Sequence, residues 1–173
     1  KGHRKDKRIT AEVCVHHLWF DESRYKDLGA RIKCNPAIKS ETDREALIKA
    51  VNEDRIDIIA TDHAPHTASE KGKTYFKAPA GLPLVQHVLL CLFDMADAGK
   101  LDYERIADKT AHAVADIFGV EERGYVREGY FADLVLMDAQ KPYTVTSSNL
   151  LAKCHWSPFE GHTFQSTVDT TIV

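Results

Sequence analysis

Between Ile56 and Ala60 the chain is apolar except at Asp57, and the run ends in Thr61-Asp62-His63 before Pro65 breaks it. That density of apolar residues is too high for a half-solvated strand and predicts a strand of a parallel sheet covered on both faces. Chemistry in such folds collects at the C-terminal ends of strands, which marks Asp62 as a candidate site residue. The competing reading is that Asp62 caps the next turn or helix. Ile9 to Val13 reads as a second short strand, with His16 to Phe20 continuing from its end into a polar loop over 21–26. Ser40 with Asp43 three residues on predicts a helix start, and Ala46, Leu47, Ala50 and Val51 follow at helical spacing. Apolar positions recur at three and four from Leu82 to Ala98. A further helix is expected from a cap at Asp102 through Ile106, Val114 and Phe118 to a stop at Gly119.

After Glu122 the texture changes to short β-rich runs, over 124–126, 129–137 and 163–173, separated by turn residues. The expected division is therefore an α/β unit over 1–121 and a β-built unit over 122–173. The first unit offers only two or three strand–helix pairs, fewer than a closed barrel needs, and the chain stops on the strand-like run 170–173. Both ends are expected to be cut and the chain to be part of something larger.

Composition narrows the function classes. With 173 residues, 43% of them hydrophobic, the chain can bury one ordinary core. Twenty-three basic against 26 acidic residues leave a net charge of -3, so no nucleic-acid partner is called for. Lys1, Arg4, Lys5, Lys7 and Arg8 form the one dense basic run, read as a solvated segment before a strand. The longest apolar stretch is interrupted by Gln86, His87 and Asp94, so no membrane span is expected. Cys14, Cys34, Cys91 and Cys154 are widely spaced with no C-x-x-C pair, which fits buried reduced thiols in a cytoplasmic protein.

Three segments taken together, residues 9–18, residues 35–47 beginning Asn35-Pro36, and residues 56–66 ending Asp62-His63-Ala64-Pro65-His66, resemble the dihydroorotases of the amidohydrolase superfamily in order and spacing. Lys77 to Leu82 resembles the family's substrate loop, and residues 129–136 resemble the strand returning to its small β-sandwich. The resemblance implies an α/β fold, part of a TIM-like (β/α)8 metal-dependent hydrolase barrel plus part of a composite β-sandwich, with this chain as the C-terminal portion. It also implies one or two zinc ions, most of whose ligands lie upstream, and reversible hydrolysis of L-dihydroorotate to N-carbamoyl-L-aspartate. Asp62 is then both metal ligand and proton carrier, because a carboxylate can coordinate a cation and accept a proton from water. Asn35 and His66 match substrate-binding positions, and the backbone of Ala80 and Gly81 matches the loop that bonds the ring. Each has a plainer reading: Asn35 as a turn residue, His66 satisfying a loop carbonyl, Gly81 supplying positive φ.

His16 and His17 are not assigned to metal, because neighbours on a strand point to opposite faces. In the resembled family the zinc histidines lie on earlier strands, including a His-x-His pair that these 173 residues lack. Ala37, Lys39, Ala80 and Ala113-Val114 depart from the family pattern without removing Asp62. The isolated chain is expected to hold zinc weakly and to be inactive. Other readings are another cyclic amidohydrolase, such as an allantoinase or dihydropyrimidinase; an inactive scaffold subunit associated with aspartate transcarbamoylase; and a small zinc module of His16, His17, His63 and His66, whose spacing fits no compact site. A homodimer is among the partners expected.

Overall fold

The computed structural model describes residues 7–173; of the basic run, Lys1, Arg4 and Lys5 lie outside the described residues. Two parallel strands stand at its centre. β1 (Glu12–Cys14) pairs with β2 (Ile58–Ala60), Val13 opposite Ile59 and Cys14 opposite Ala60. Neighbouring Ile58 and Ile59 are both buried, so both faces of the strand are covered, as the apolar run predicts. Asp57, just ahead of β2, is buried too; its carboxylate pairs with Lys7 and accepts the Ala11 N–H at 2.9 Å, which anchors the start of the sheet.

The chain beyond β1 does not continue extended. It coils at once into α1 (Val15–Trp19), which buries Val15 and Leu18, three residues apart, against the core. A short helix α2 (Tyr25–Leu28) leads to α3 (Glu41–Asn52). There Ser40 and Asp43 form the expected reciprocal cap: the Asp43 N–H donates to Ser40 Oγ at 3.3 Å, and the Ser40 N–H donates to the Asp43 carboxylate at 3.2 Å. Ile48 and Val51 are its buried face.

After β2 come α4 (Ala68–Lys71), α5 (Val88–Asp97), α6 (Tyr103–Ala107) and α7 (Ala113–Phe118). The helix expected from Leu82 starts six residues later. Residues 82–85 instead run beside the end of β2: Ala64 N–H donates to the Leu82 carbonyl at 3.0 Å, and His63 Nδ1 accepts the N–H groups of Leu84 and Val85 at 3.0 and 3.2 Å. Pro83 supplies no N–H to a helix, and the extended path buries Leu82 and Leu84. Asp102 caps α6 as expected, accepting the Arg105 N–H. A π-helical turn over Asp108–His112 then joins α6 to α7, and Gly119, at φ 63, ends the run. Lys109 in that turn is fully buried, with Asp54 and Asp108 as its ion-pair partners.

The last third is β-built: β3 (Leu134–Asp138) pairs antiparallel with β6 (Thr167–Ile172), and β4 (Tyr143–Thr144) with β5 (Thr163–Phe164). Val145, Phe159 and Phe164 nevertheless belong to the same buried cluster as Leu18, Leu90 and Met95, so one core runs across residue 122.

Candidate active site

Parallel pairing brings the C-terminal ends of β1 and β2 side by side, and that is where the polar groups gather. Two residues past β2, Asp62 turns through φ 45, a left-handed conformation that Asp tolerates better than most residues. It lines a cavity of about 440 Å³ together with Glu12, Cys14, His17, Asn35 and Lys39. That volume suits a small ligand. Burial, followed by the charge of Asp62, pushes the Cys14 thiol up to about 11. Burial first of all pushes Cys34 to about 11 as well, so both thiols are protonated at neutral pH.

The strand geometry invoked against His16 and His17 does not apply, because both sit on the first turn of α1. Cys14, His16 and His17 place one ligand atom each within 4.8 Å of one another, and the two imidazole rings lie 4.2 Å apart. The sequence signal that could have shown this was the Val15–Leu18 spacing, which is helical. His16 is 1% exposed, and neither of its ring nitrogens has a hydrogen-bond partner. Buried polar atoms left unpaired are costly and call for an explanation. Burial, aided by His17, lowers the His16 pKa to about 3, so the ring is the neutral form that ligates a metal. His17 Nε2 donates to the Pro36 carbonyl at 2.8 Å, which fixes its proton there and leaves Nδ1 as the basic nitrogen. Imidazole and thiol donors are among those zinc takes, so Cys14, His16 and His17 fit such an ion.

The other sequence candidates form a second group, on loops outside the cavity's lining. His66 Nε2 donates to the Ala80 carbonyl at 3.0 Å, while the His66 carbonyl accepts the indole N–H of Trp156 at 2.7 Å. Gly81 N–H donates to the Lys33 carbonyl at 2.9 Å, tying this loop to the segment that carries Asn35. Gly81 has φ 135, and a Cβ there would stand 2.5 Å from the Ala64 carbonyl oxygen. Its small size is therefore required twice over. The structure thus brings Asp62 and Asn35 into one cavity, and His66, Ala80 and Gly81 into one loop junction. Lys33, Lys71 and Trp156, which hold that junction, carried no motif; a lone lysine in a sequence reads as surface. A larger cavity, about 740 Å³, lies around Gly119, Arg123 and Tyr130 and contains none of these groups. Among the described residues no helix is long and apolar enough to cross a membrane.

Comparison with known proteins gives three kinds of likeness. A model described as the amidohydrolase family matches residues 3–173. The chain is 42% identical to a dihydroorotase of Halobacterium salinarum over 153 residues, 88% of this chain and 36% of that protein. It is 34% identical to an allantoinase of Bacillus velezensis, covering 94% of this chain and 36% of that protein. The L-hydantoinase (dihydropyrimidinase) of Arthrobacter aurescens superposes with a TM-score of 0.90 at 23% identity, over 95% of this chain and 38% of that one. The chain therefore spans well under half the length of the proteins it matches.

Proposed function

The chain belongs to the amidohydrolase family, with the TIM-barrel-like fold of metal-dependent hydrolases, and from that premise we propose that it is the C-terminal part of a zinc-dependent dihydroorotase. In this reading residues 1–121 complete the barrel and residues 122–173 contribute to a composite β-sandwich. The observation that carries it is the strand-end cavity, where Asp62 and Asn35 meet Cys14 and His17 beside the unpartnered, buried His16. The 42% likeness to a dihydroorotase favours that activity over the allantoinase likeness at 34%.

His16, His17 and Asp62 would contribute to holding zinc, with further ligands from outside this chain. When bound, zinc supplies Lewis acidity toward the ring carbonyl and makes a nearby water a better nucleophile. Asp62 then takes the proton of the attacking water and returns it to the ring nitrogen as the carbon–nitrogen bond breaks. Asn35, which lines the same cavity, would donate to the substrate carboxylate. His66 fixes the Ala80 carbonyl, so that the loop beside the ring keeps one conformation.

The test is hydrolysis of dihydroorotate by the zinc-loaded full-length polypeptide, beside an Asp62→Ala variant whose fold is checked by circular dichroism. We expect activity in the unaltered protein and a loss of about 100-fold or more in kcat for the variant. Faster turnover of allantoin than of dihydroorotate would move the assignment to that neighbour. A folded polypeptide that binds zinc but hydrolyses neither would refute the enzyme reading.

A further inference from the structure

Lys71 is the only lysine of α4, yet it is buried to 3% exposure with no carboxylate partner among the described residues. Its ammonium donates instead to three backbone carbonyls: Gly81 at 2.8 Å, Pro79 at 3.0 Å and Lys33 at 3.2 Å. Three donors meet three acceptors, and the acceptors come from two different loops. The Trp156 ring, 5.8 Å from the ammonium, covers the same cation and itself holds the His66 carbonyl. Lys33 repeats the arrangement one step along, donating to the carbonyls of Tyr75 at 2.8 Å and Ala78 at 2.7 Å. Burying an ammonium is expensive unless its donors are met, as they are here by the three carbonyls. What the charge does is draw carbonyl oxygens of residues 78–81 inward.

We propose that Lys71 is a positioning residue, which locks the 78–81 loop in the shape that receives substrate by gathering the Pro79, Gly81 and Lys33 carbonyls around one buried ammonium. The reading rests on the proposed hydrolase function in one respect, that the 78–81 loop borders the bound ring. Protonation supports it: burial, partly opposed by Cys34 and assisted by Lys33, lowers Lys71 to about 8, so all three donors are present at neutral pH. Lys71 itself touches neither the reacting carbonyl nor the metal ligands; it acts through the loop.

The experiment compares the zinc-loaded full-length polypeptide with Lys71→Met and Lys71→Arg. Met, one atom shorter, keeps the unbranched apolar stem and removes every donor. Arg keeps the charge, but its planar fork cannot give one hydrogen to each of three converging carbonyls. Amide hydrogen exchange over residues 78–82 should quicken by about tenfold or more in the Met variant and less in the Arg variant, with β1 and β2 unchanged. KM for dihydroorotate should rise about fivefold or more while kcat stays within about threefold, because the loss falls on binding rather than on proton transfer. A purely structural role would lower kcat through the folded fraction and leave KM alone. If Lys71→Met fails to fold, the Arg variant decides: exchange over 78–82 no faster than in the unaltered protein overturns the proposal. Fast exchange with an unchanged KM overturns the link to substrate. If the unaltered protein hydrolyses no dihydroorotate, the hydrolase reading falls, and the exchange data still decide whether Lys71 locks the loop.

Discussion

The strand-end cavity and the loop junction around Gly81 treat their polar groups in opposite ways. Beside Asp62 polarity is left unsatisfied: His16 is buried with both ring nitrogens unpaired. Around Gly81 the polar groups are matched to partners: Lys71, Lys33, His66 and Trp156 account for the carbonyls of Gly81, Tyr75, Ala80 and His66. Unsatisfied buried polarity marks a place prepared for something that binds, and full satisfaction marks scaffolding that fixes where binding happens. The two regions are joined at Lys33, whose carbonyl accepts from Gly81 two residues ahead of Asn35.

The sharpest way to break this comparison is to relieve the unsatisfied side. In the full-length polypeptide, His16→Phe should reduce zinc content and lower turnover by about 100-fold or more, as loss of a ligand does. The stability of the metal-free protein should not fall, because the two unpaired nitrogens go with the ring. Undiminished zinc by elemental analysis would mean that His16 is only a core histidine. A smaller effect is expected on the satisfied side. Gly81→Ala puts a methyl group against the Ala64 carbonyl at a φ of 135, and should cost about 1–3 kcal/mol in urea unfolding. A variant as stable as the parent would show that the loop can shift, and would weaken the case for a fixed scaffold.

The smallest effect concerns His87, a histidine that is buried like His16 but partly satisfied, with Nδ1 3.4 Å from Ser157 Oγ and the ring stacked on Phe164. Burial lowers its pKa to about 4 from an ordinary 6.5. The folded state therefore prefers the neutral ring: the stability this contributes is complete above pH 6.5 and is lost as pH falls toward 4. His87→Asn, which cannot titrate, should show a shallower fall in Tm between pH 7 and pH 4.5. An unchanged slope would assign the acid sensitivity to other groups, His16 first among them.

Much of this could be read from the sequence wherever the signal is local. The Ser40–Asp43 cap, the two-faced burial of Ile58 and Ile59, and the stop at Gly119 depend on residues a few positions apart, and they form as expected. Misreadings occurred where tertiary contacts overrode local pattern. Residues 82–85 have helical spacing but are held extended by His63, and His16 and His17 look like strand residues until Val15 and Leu18 turn inward as a helix.

The sequence by itself determined that a carboxylate would stand at the end of a buried strand, because an apolar run closed by Asp62 and broken at Pro65 admits few other arrangements. Only the tertiary structure decided which groups would join it and which would hold the neighbouring loop. Those contacts link residues as distant as Lys33 with Gly81 and His66 with Trp156, and no periodicity encodes a hydrogen bond between segments that meet only when the core closes.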